Sequence, residues 1–185
     1  MYNTQFEQNM ANLTELLFSL YGKRWDFYQI LNRLEKIMSD ANKARDKSLL
    51  KLDKEAADGK NLWYQSEKTV GMMLYVDLFA GNLRALVEKI PYFEELGVNY
   101  VHLMPLFDCP KGENDGGYAI SSYRKVQPRL GTIEDLKFVA EEFHKKGIRL
   151  VLDFVFNHTS DEHEWALKAK KGEEKYMNYY YMYKD

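Results

Sequence analysis

Cysteine is nearly missing from this sequence: Cys109 stands alone among 185 residues. A single thiol excludes an intramolecular disulfide and any multi-cysteine metal site, and it points to a reducing, cytoplasmic compartment. Charge of one sign is missing too. Twenty-six Lys and Arg against 28 Asp and Glu leave a net charge of -2, the sequence pI is near 6.1, and no dense basic block occurs. That balance gives no support for a nucleic-acid partner or a polybasic membrane anchor. No apolar run approaches the ~18 residues that a membrane span needs. The first residues, Met1-Tyr2-Asn3-Thr4-Gln5-Phe6-Glu7, lack a basic region and an apolar core, so no secretory signal is visible. In that setting the sequons Asn12-Leu13-Thr14 and Asn157-His158-Thr159 read as chance matches.

What is present is the composition of a folded globular protein, 45% apolar and 29% charged. Aromatic residues are abundant, 15% of the chain with fourteen tyrosines. Tyrosine offers a flat apolar face with a hydroxyl, which suits stacking on a sugar ring and equally suits amphipathic filling at domain edges. The most informative stretch is Leu150-Val151-Leu152-Asp153-Phe154-Val155-Phe156-Asn157-His158. Apolar on both faces, it reads as a buried parallel strand that delivers a carboxylate, an amide and an imidazole at its far end. In α/β architectures ligands sit at that carboxyl end.

Periodicity divides the rest. Phe6, Met10, Leu13, Leu17 and Leu20 recur at helical spacing until Gly22, and Trp25, Tyr28, Leu31, Leu34 and Met38 form a second stripe. Leu49, Leu50 and Leu52 anchor a third, weaker helix before a turn at Asp58-Gly59-Lys60-Asn61. From Val70 the character changes. Residues 70–76 read as a strand, and a helical stretch from Asn82 is broken by Pro91. Gly97 ends that stretch, and residues 98–104 form a second strand. Gly131-Thr132-Ile133-Glu134-Asp135 carries a capping-box start. Ile133, Leu136, Val139, Ala140 and Phe143 then share a face, Gly147 ends the helix, and residues 148–156 are the third strand. The order is β-α-β-α-β with a parallel sheet. The connection from Pro105 to Gly131 is longer than the ~12–15 residues beyond which loops in compact domains are usually functional.

Three segments then converge at the strands' carboxyl ends. They are Asp77-Leu78-Phe79-Ala80-Gly81, the run through Asp115-Gly116-Gly117-Tyr118 to Ser121-Ser122-Tyr123, and Asp153 to Asn157-His158, followed by His163-Glu164-Trp165. Together they resemble the α-amylase family of glycoside hydrolases and glucosyltransferases, and within it the amylosucrase-like members, which Tyr75-Val76-Asp77-Leu78-Phe79-Ala80-Gly81 also resembles. The resemblance implies an α/β fold in two parts. A helical N-terminal domain spans residues 1–67, and residues 68–185 hold the first three β/α units of a (β/α)8 TIM barrel with the start of the loop domain after strand three. The barrel is incomplete. It implies that Tyr118 stacks under a glucosyl ring, that Asp115 closes the pocket floor and contacts sugar hydroxyls, and that His158 hydrogen-bonds glucosyl hydroxyls. Asp153 and Asn157 would hold the wall of the site in register. No cofactor is implied.

Other readings of the same residues stay open. Asp115-Gly116-Gly117 alone is a turn signal, and His158 alone could cap a strand end. His158, His163 and Glu164 do not make a zinc-protease pattern, and no metal is expected. Thr159 and Glu162 read as a capping box for the next helix. Tyr176, Tyr179, Tyr180, Tyr181 and Tyr183 suit packing or a sugar subsite.

A retaining glycosidase needs a nucleophilic and an acid/base carboxylate ~5–5.5 Å apart. The family draws both from after strands four and five. No segment here resembles those motifs, so no catalytic residue is assigned and the chain reads as an N-terminal piece, inactive alone. The expected partners are sucrose and an α-glucan, and exposed barrel edges would favour self-association. The main expectation is a sucrose-using α-glucosyltransferase acting by double displacement. A sucrose hydrolase, α-glucosidase or amylase of the same family, or a non-catalytic sugar-binding module, are the alternatives.

Overall fold

The computed structural model describes residues 4–59 and 62–183. The chain divides into two compact units, Met1–Leu62 and Trp63–Asp185.

The first unit holds α1 (Thr4–Tyr21), α2 (Phe27–Ala44) and α3 (Lys47–Ala57). The helical spacing of the apolar residues accounts for all three. Met10, Leu13, Leu17, Leu31, Leu34 and Met38 are half-buried, but Leu20, Trp25 and Tyr28 of the expected stripes are exposed. The α1–α2 corner instead centres on Phe27, which is 3% exposed and meets the rings of Phe18 and Tyr28 edge-on. Arg24 donates to both oxygens of Asp26 at 2.9 Å across that corner. Asp46 caps α3 by accepting from the Ser48 amide at 2.8 Å. Of the turn expected at Asp58 to Asn61, Gly59 adopts φ 70, and Lys60 and Asn61 lie outside the described residues.

The second unit is built on a parallel sheet of β1 (Gly71–Leu74), β2 (Tyr100–Leu103) and, across the far edge, a strand at Arg149–Leu152, in the order in which the chain visits them. The intervening connection holds a two-stranded antiparallel sheet, β3 (Phe107–Asp108) with β4 (Ser122–Val126), so the Arg149–Leu152 strand is β5. Residues 105–131 are therefore not the bare loop that the sequence suggested. A two-residue strand carries too little alternation to be read in advance.

The helices follow their signals. Short α4 (Val76–Phe79) takes the end of the expected first strand. Asn82 caps α5 (Leu83–Val87) by accepting from the Ala85 amide at 2.9 Å, and Pro91 lies in the first turn of α6 (Ile90–Glu95). The box at Thr132 forms: its hydroxyl accepts from the Asp135 amide at 3.1 Å, and Asp135 accepts from the Thr132 amide at 2.9 Å, opening α7 (Ile133–Lys145). The expected box at Thr159 and Glu162 does not form. α8 (Glu164–Lys170) is capped by His163, whose Nδ1 accepts from the Trp165 amide at 3.1 Å, while the Thr159 hydroxyl bonds the Ser160 carbonyl and the Tyr180 hydroxyl. A buried imidazole acceptor one residue from the helix takes the place that the Thr–Glu spacing suggested. α9 (Glu174–Met177) closes the described fold.

Register decides what each face of the sheet does. Leu74, Val101 and Leu103 point to one side and pack with Leu83, Leu86, Ile90, Phe93, Val139 and Phe143 of the helices. Most of these are fully buried, and this is the core of the unit. The opposite face reads in rows. Gly71, Tyr100 and Arg149 share one row, and Met73, His102 and Val151 the next. Two residues further on, by the period-two pleat, come Tyr75, Met104 and Asp153. The bottom row is closed by Trp63, whose ring lies 5.7 Å from that of Tyr100 with the Arg149 guanidinium 4.8 Å above it. β5 is shorter than expected, and its four residues are only half-buried because it is paired along one edge. Phe154 and Phe156 beyond it are exposed, Phe156 at 88%.

Candidate functional site

The upper row of the helix-free face is where two of the expected site residues, Asp153 and Tyr118, meet. Asp153 follows β5 directly, and its carboxylate accepts from two side chains. The Tyr118 hydroxyl donates to Oδ2 at 2.8 Å, and His102 Nε2 lies 2.9 Å from Oδ1. The hydrogen bond to Asp153, with burial next, pushes the Tyr118 phenol up to about 12. An ionised acceptor holds the phenol's proton in place, and an anionic phenolate beside it would be repelled.

Tyr118 reaches Asp153 because the loop before it turns sharply. Asp115, Gly116 and Gly117 have φ 50, 67 and 96 in a single 3-10 turn. Three successive left-handed residues suit glycine twice and aspartate once, since a short polar side chain tolerates that region best after glycine. The Asn114 side chain caps the turn, accepting from the Gly117 amide at 3.1 Å and donating to the Pro110 carbonyl at 2.9 Å. Gly117 is also buried, and a Cβ there would lie 3.0 Å from Pro105 Cβ and 3.2 Å from Gln127 Nε2. Gly116 lies against the Tyr75 hydroxyl, 3.5 Å from where its Cβ would be. Asp115 itself is exposed and close enough to act on the charge state of Tyr118.

Asn157 and His158 form a second group. The Asn157 amide nitrogen donates to His158 Nδ1 at 2.7 Å. With Nδ1 an acceptor, the neutral ring carries its proton on Nε2, which leaves an N–H donor at the exposed end. The segment is pinned from beneath by the Tyr123 hydroxyl, 2.7 Å from the Val155 carbonyl and 3.2 Å from that of His158. Among the described residues no hydrogen bond joins this pair to Tyr118 or Asp115.

Sequence reasoning gave no individual role to five contributors. His102 was readable as a lone imidazole between Val101 and Leu103, on the face that alternation assigns away from the helices. Tyr75 shares its face. The Asp77 carboxylate pairs with Arg129, whose Nε donates to Gln127 Oε1 at 3.0 Å, and buried Gln127 in turn donates to the Pro105 carbonyl at 3.3 Å. That chain ties α4, which follows β1, to the loop after β4. Nothing local marks it, because Asp77 and Arg129 are 52 residues apart. Among the described residues no three His, Cys, Asp or Glu side chains gather to hold a metal ion. As it stands the arrangement can bind and orient: it offers tyrosine hydroxyls, an open carboxylate at Asp115 and an imidazole donor at His158.

Comparison with known proteins gives these features a family. The chain is 45% identical over 101 residues to an oligo-1,6-glucosidase of Parageobacillus thermoglucosidasius, covering 54% of this chain and 18% of that protein. It is 44% identical over 100 residues to an α-glucosidase of Apis mellifera, covering 54% and 17%. Among solved structures it resembles an isomaltulose synthase variant from Erwinia rhapontici NX5 in complex with sucrose, at 33% identity and a TM-score of 0.56, over 62% of this chain and 22% of that one. The chain thus spans about a fifth of the length of the relatives it matches. Residues 22–185 match the family described as alpha amylase, catalytic domain. The three parallel strands are part of the barrel of that domain, and this chain belongs to the alpha-amylase family.

Proposed function

We propose that this chain supplies one wall of a glucose pocket and that the protein cleaves α-glucosidic bonds of short glucosides such as isomaltose and sucrose. The observation that carries the reading is the Asp153 carboxylate holding Tyr118 at the carboxyl end of a parallel strand, beside the open Asp115. A glucosyl ring needs a flat apolar face below it and charged hydrogen-bond partners at its rim. Tyr118 offers the face, and Asp115 and the His158 Nε2–H offer the partners. As positive charge develops on the ring, bonds to its hydroxyls strengthen. Asp153 and Asn157 hold Tyr118 and His158 and take no part in bond breaking. The reaction needs no cofactor, and a cytoplasmic setting suits the lone thiol.

Hydrolysis is the favoured reaction, because the similar oligo-1,6-glucosidases and α-glucosidase are named for it. A second reading, glucosyl transfer from sucrose to an α-glucan, is supported by the amylosucrase-like segment Tyr75 to Gly81 and by the sucrose held in the similar isomaltulose synthase.

The test uses the protein at the length its gene encodes, given isomaltose, sucrose, and sucrose with an α-glucan, with products followed by NMR. Free α-glucose from isomaltose is expected, and Tyr118→Ala should lower kcat/KM by about a hundredfold, or ~2.7 kcal/mol. Elongation of the glucan with isomaltose untouched would select the second reading. No consumption of any of the three would overturn both.

A further inference from the structure

His102 shares the helix-free face of β2 with Tyr100, and its position is set by register. It lies beside Val151 of β5, so Asp153 sits two residues further along the neighbouring strand on the same face. At ~3.3 Å per residue that offset is ~6.6 Å, a span that an imidazole leaning along the strand and an aspartate can close together. They do so at 2.9 Å, and both are about a quarter exposed or less, at 24% and 21%.

We propose that His102 is a positioning residue for the sugar-facing wall, holding Asp153 Oδ1 so that Oδ2 stays directed at the Tyr118 hydroxyl. Asp153 follows the last paired residue of β5, Leu152, and only a 3.4 Å contact of its amide with the Leu103 carbonyl extends the ladder to it. Its side chain is therefore not locked by backbone pairing. With a single donor the carboxylate would be free to turn toward water about its last torsion, which is broad and two-fold. A second donor on the other oxygen removes that freedom, and Tyr118 is fixed through it. His102 must then carry its proton on Nε2, with Nδ1 unprotonated in the neutral ring. The inference concerns the same site as the proposed function, but its first readouts need no sugar.

The test labels the chain at tyrosine Cζ and histidine nitrogen and follows both by NMR, with the Tyr118 signal identified by its loss in Tyr118→Phe. In the unaltered protein the Tyr118 phenol should titrate well above the ordinary tyrosine value of ~10, and His102 should show the Nε2-protonated tautomer. His102→Phe, which keeps the ring volume, should move the Tyr118 titration down by at least about half a unit. His102→Gln, whose amide nitrogen can replace Nε2, should restore it. An unchanged titration in His102→Phe would overturn the proposal, as would Gln behaving like Phe in a folded chain. Should His102→Phe fail to fold, the tautomer decides: a proton on Nδ1 alone would overturn the proposal, and one on Nε2 that is lost or shifted in Asp153→Asn would support it. Loss of sugar cleavage plays no part in these outcomes, so the two proposals fail separately.

Discussion

Both oxygens of Asp153 are engaged, one by a phenol and one by an imidazole, and the consequence is measurable at high pH. Tyr118 has its folded phenol raised above the ordinary value. A group with a raised folded pKa contributes stability that is fully present below its unfolded value and is lost as pH rises through the folded one. The window here runs from about 10, the ordinary value, to about 12. In that range the unaltered chain should lose thermal stability more steeply than Tyr118→Phe, which has no proton to lose. Equal slopes in melting curves recorded across the window would show that the bond to Asp153 contributes nothing. The glycine beside it makes the same point by sterics. Gly116, at φ 67, tolerates a side chain only at a cost of ~1–2 kcal/mol, so the turn that carries Tyr118 depends on having no Cβ there.

Among the elements, helix starts distinguish a signal that holds from one that does not. Thr132 and Thr159 are each followed three residues later by an acidic residue, and only Thr132 opens a helix with reciprocal bonds. Thr132→Ala should therefore cost ~1 kcal/mol, read as a lower denaturant midpoint at unchanged slope, with Thr132→Ser largely restoring it. Thr159→Ala should leave the start of α8 unchanged, and amide exchange at Trp165 should instead respond to His163→Ala. Burial holds the His163 imidazole below the ordinary histidine range, in keeping with a neutral ring whose Nδ1 accepts. Strand rows follow a simpler rule. Gly71 sits where a Cβ would lie 2.8 Å from the Tyr100 ring, so the space under the sheet is filled by Trp63, Tyr100 and Arg149 from three different segments.

At the scale of the molecule, burial is concentrated in the second unit. Its sheet and helices share a core in which Phe93, Phe143, Leu83 and Leu86 are fully buried, whereas Phe27 is the one core residue of the helical unit among the described residues. Helices with so little buried apolar surface open at low free-energy cost, since most helical stability comes from packing of one face. Hydrogen exchange should thus protect amides of β2 and α7 most and release those of α1, α2 and α3 first. Phe93→Ala should cost ~3–5 kcal/mol by opening a cavity and should abolish protection in the second unit while leaving exchange in the helical unit as it was. Comparable protection in both units would contradict this account.

The alternation of helix and strand, the capping box at Thr132, the break at Pro91 and the place of Asp153 at the carboxyl end of its strand were legible in the sequence. They depend on local rules, in which each residue's spacing or type acts within a turn or a strand of its neighbours. The tertiary structure alone decided that Asp153 would receive both Tyr118 and His102, that Asp77 would pair with Arg129, and that β3 would exist at all. Those contacts join residues 35 to 52 positions apart or rest on a strand of two residues, where no periodicity reaches and only the register of one strand on the next brings the atoms together.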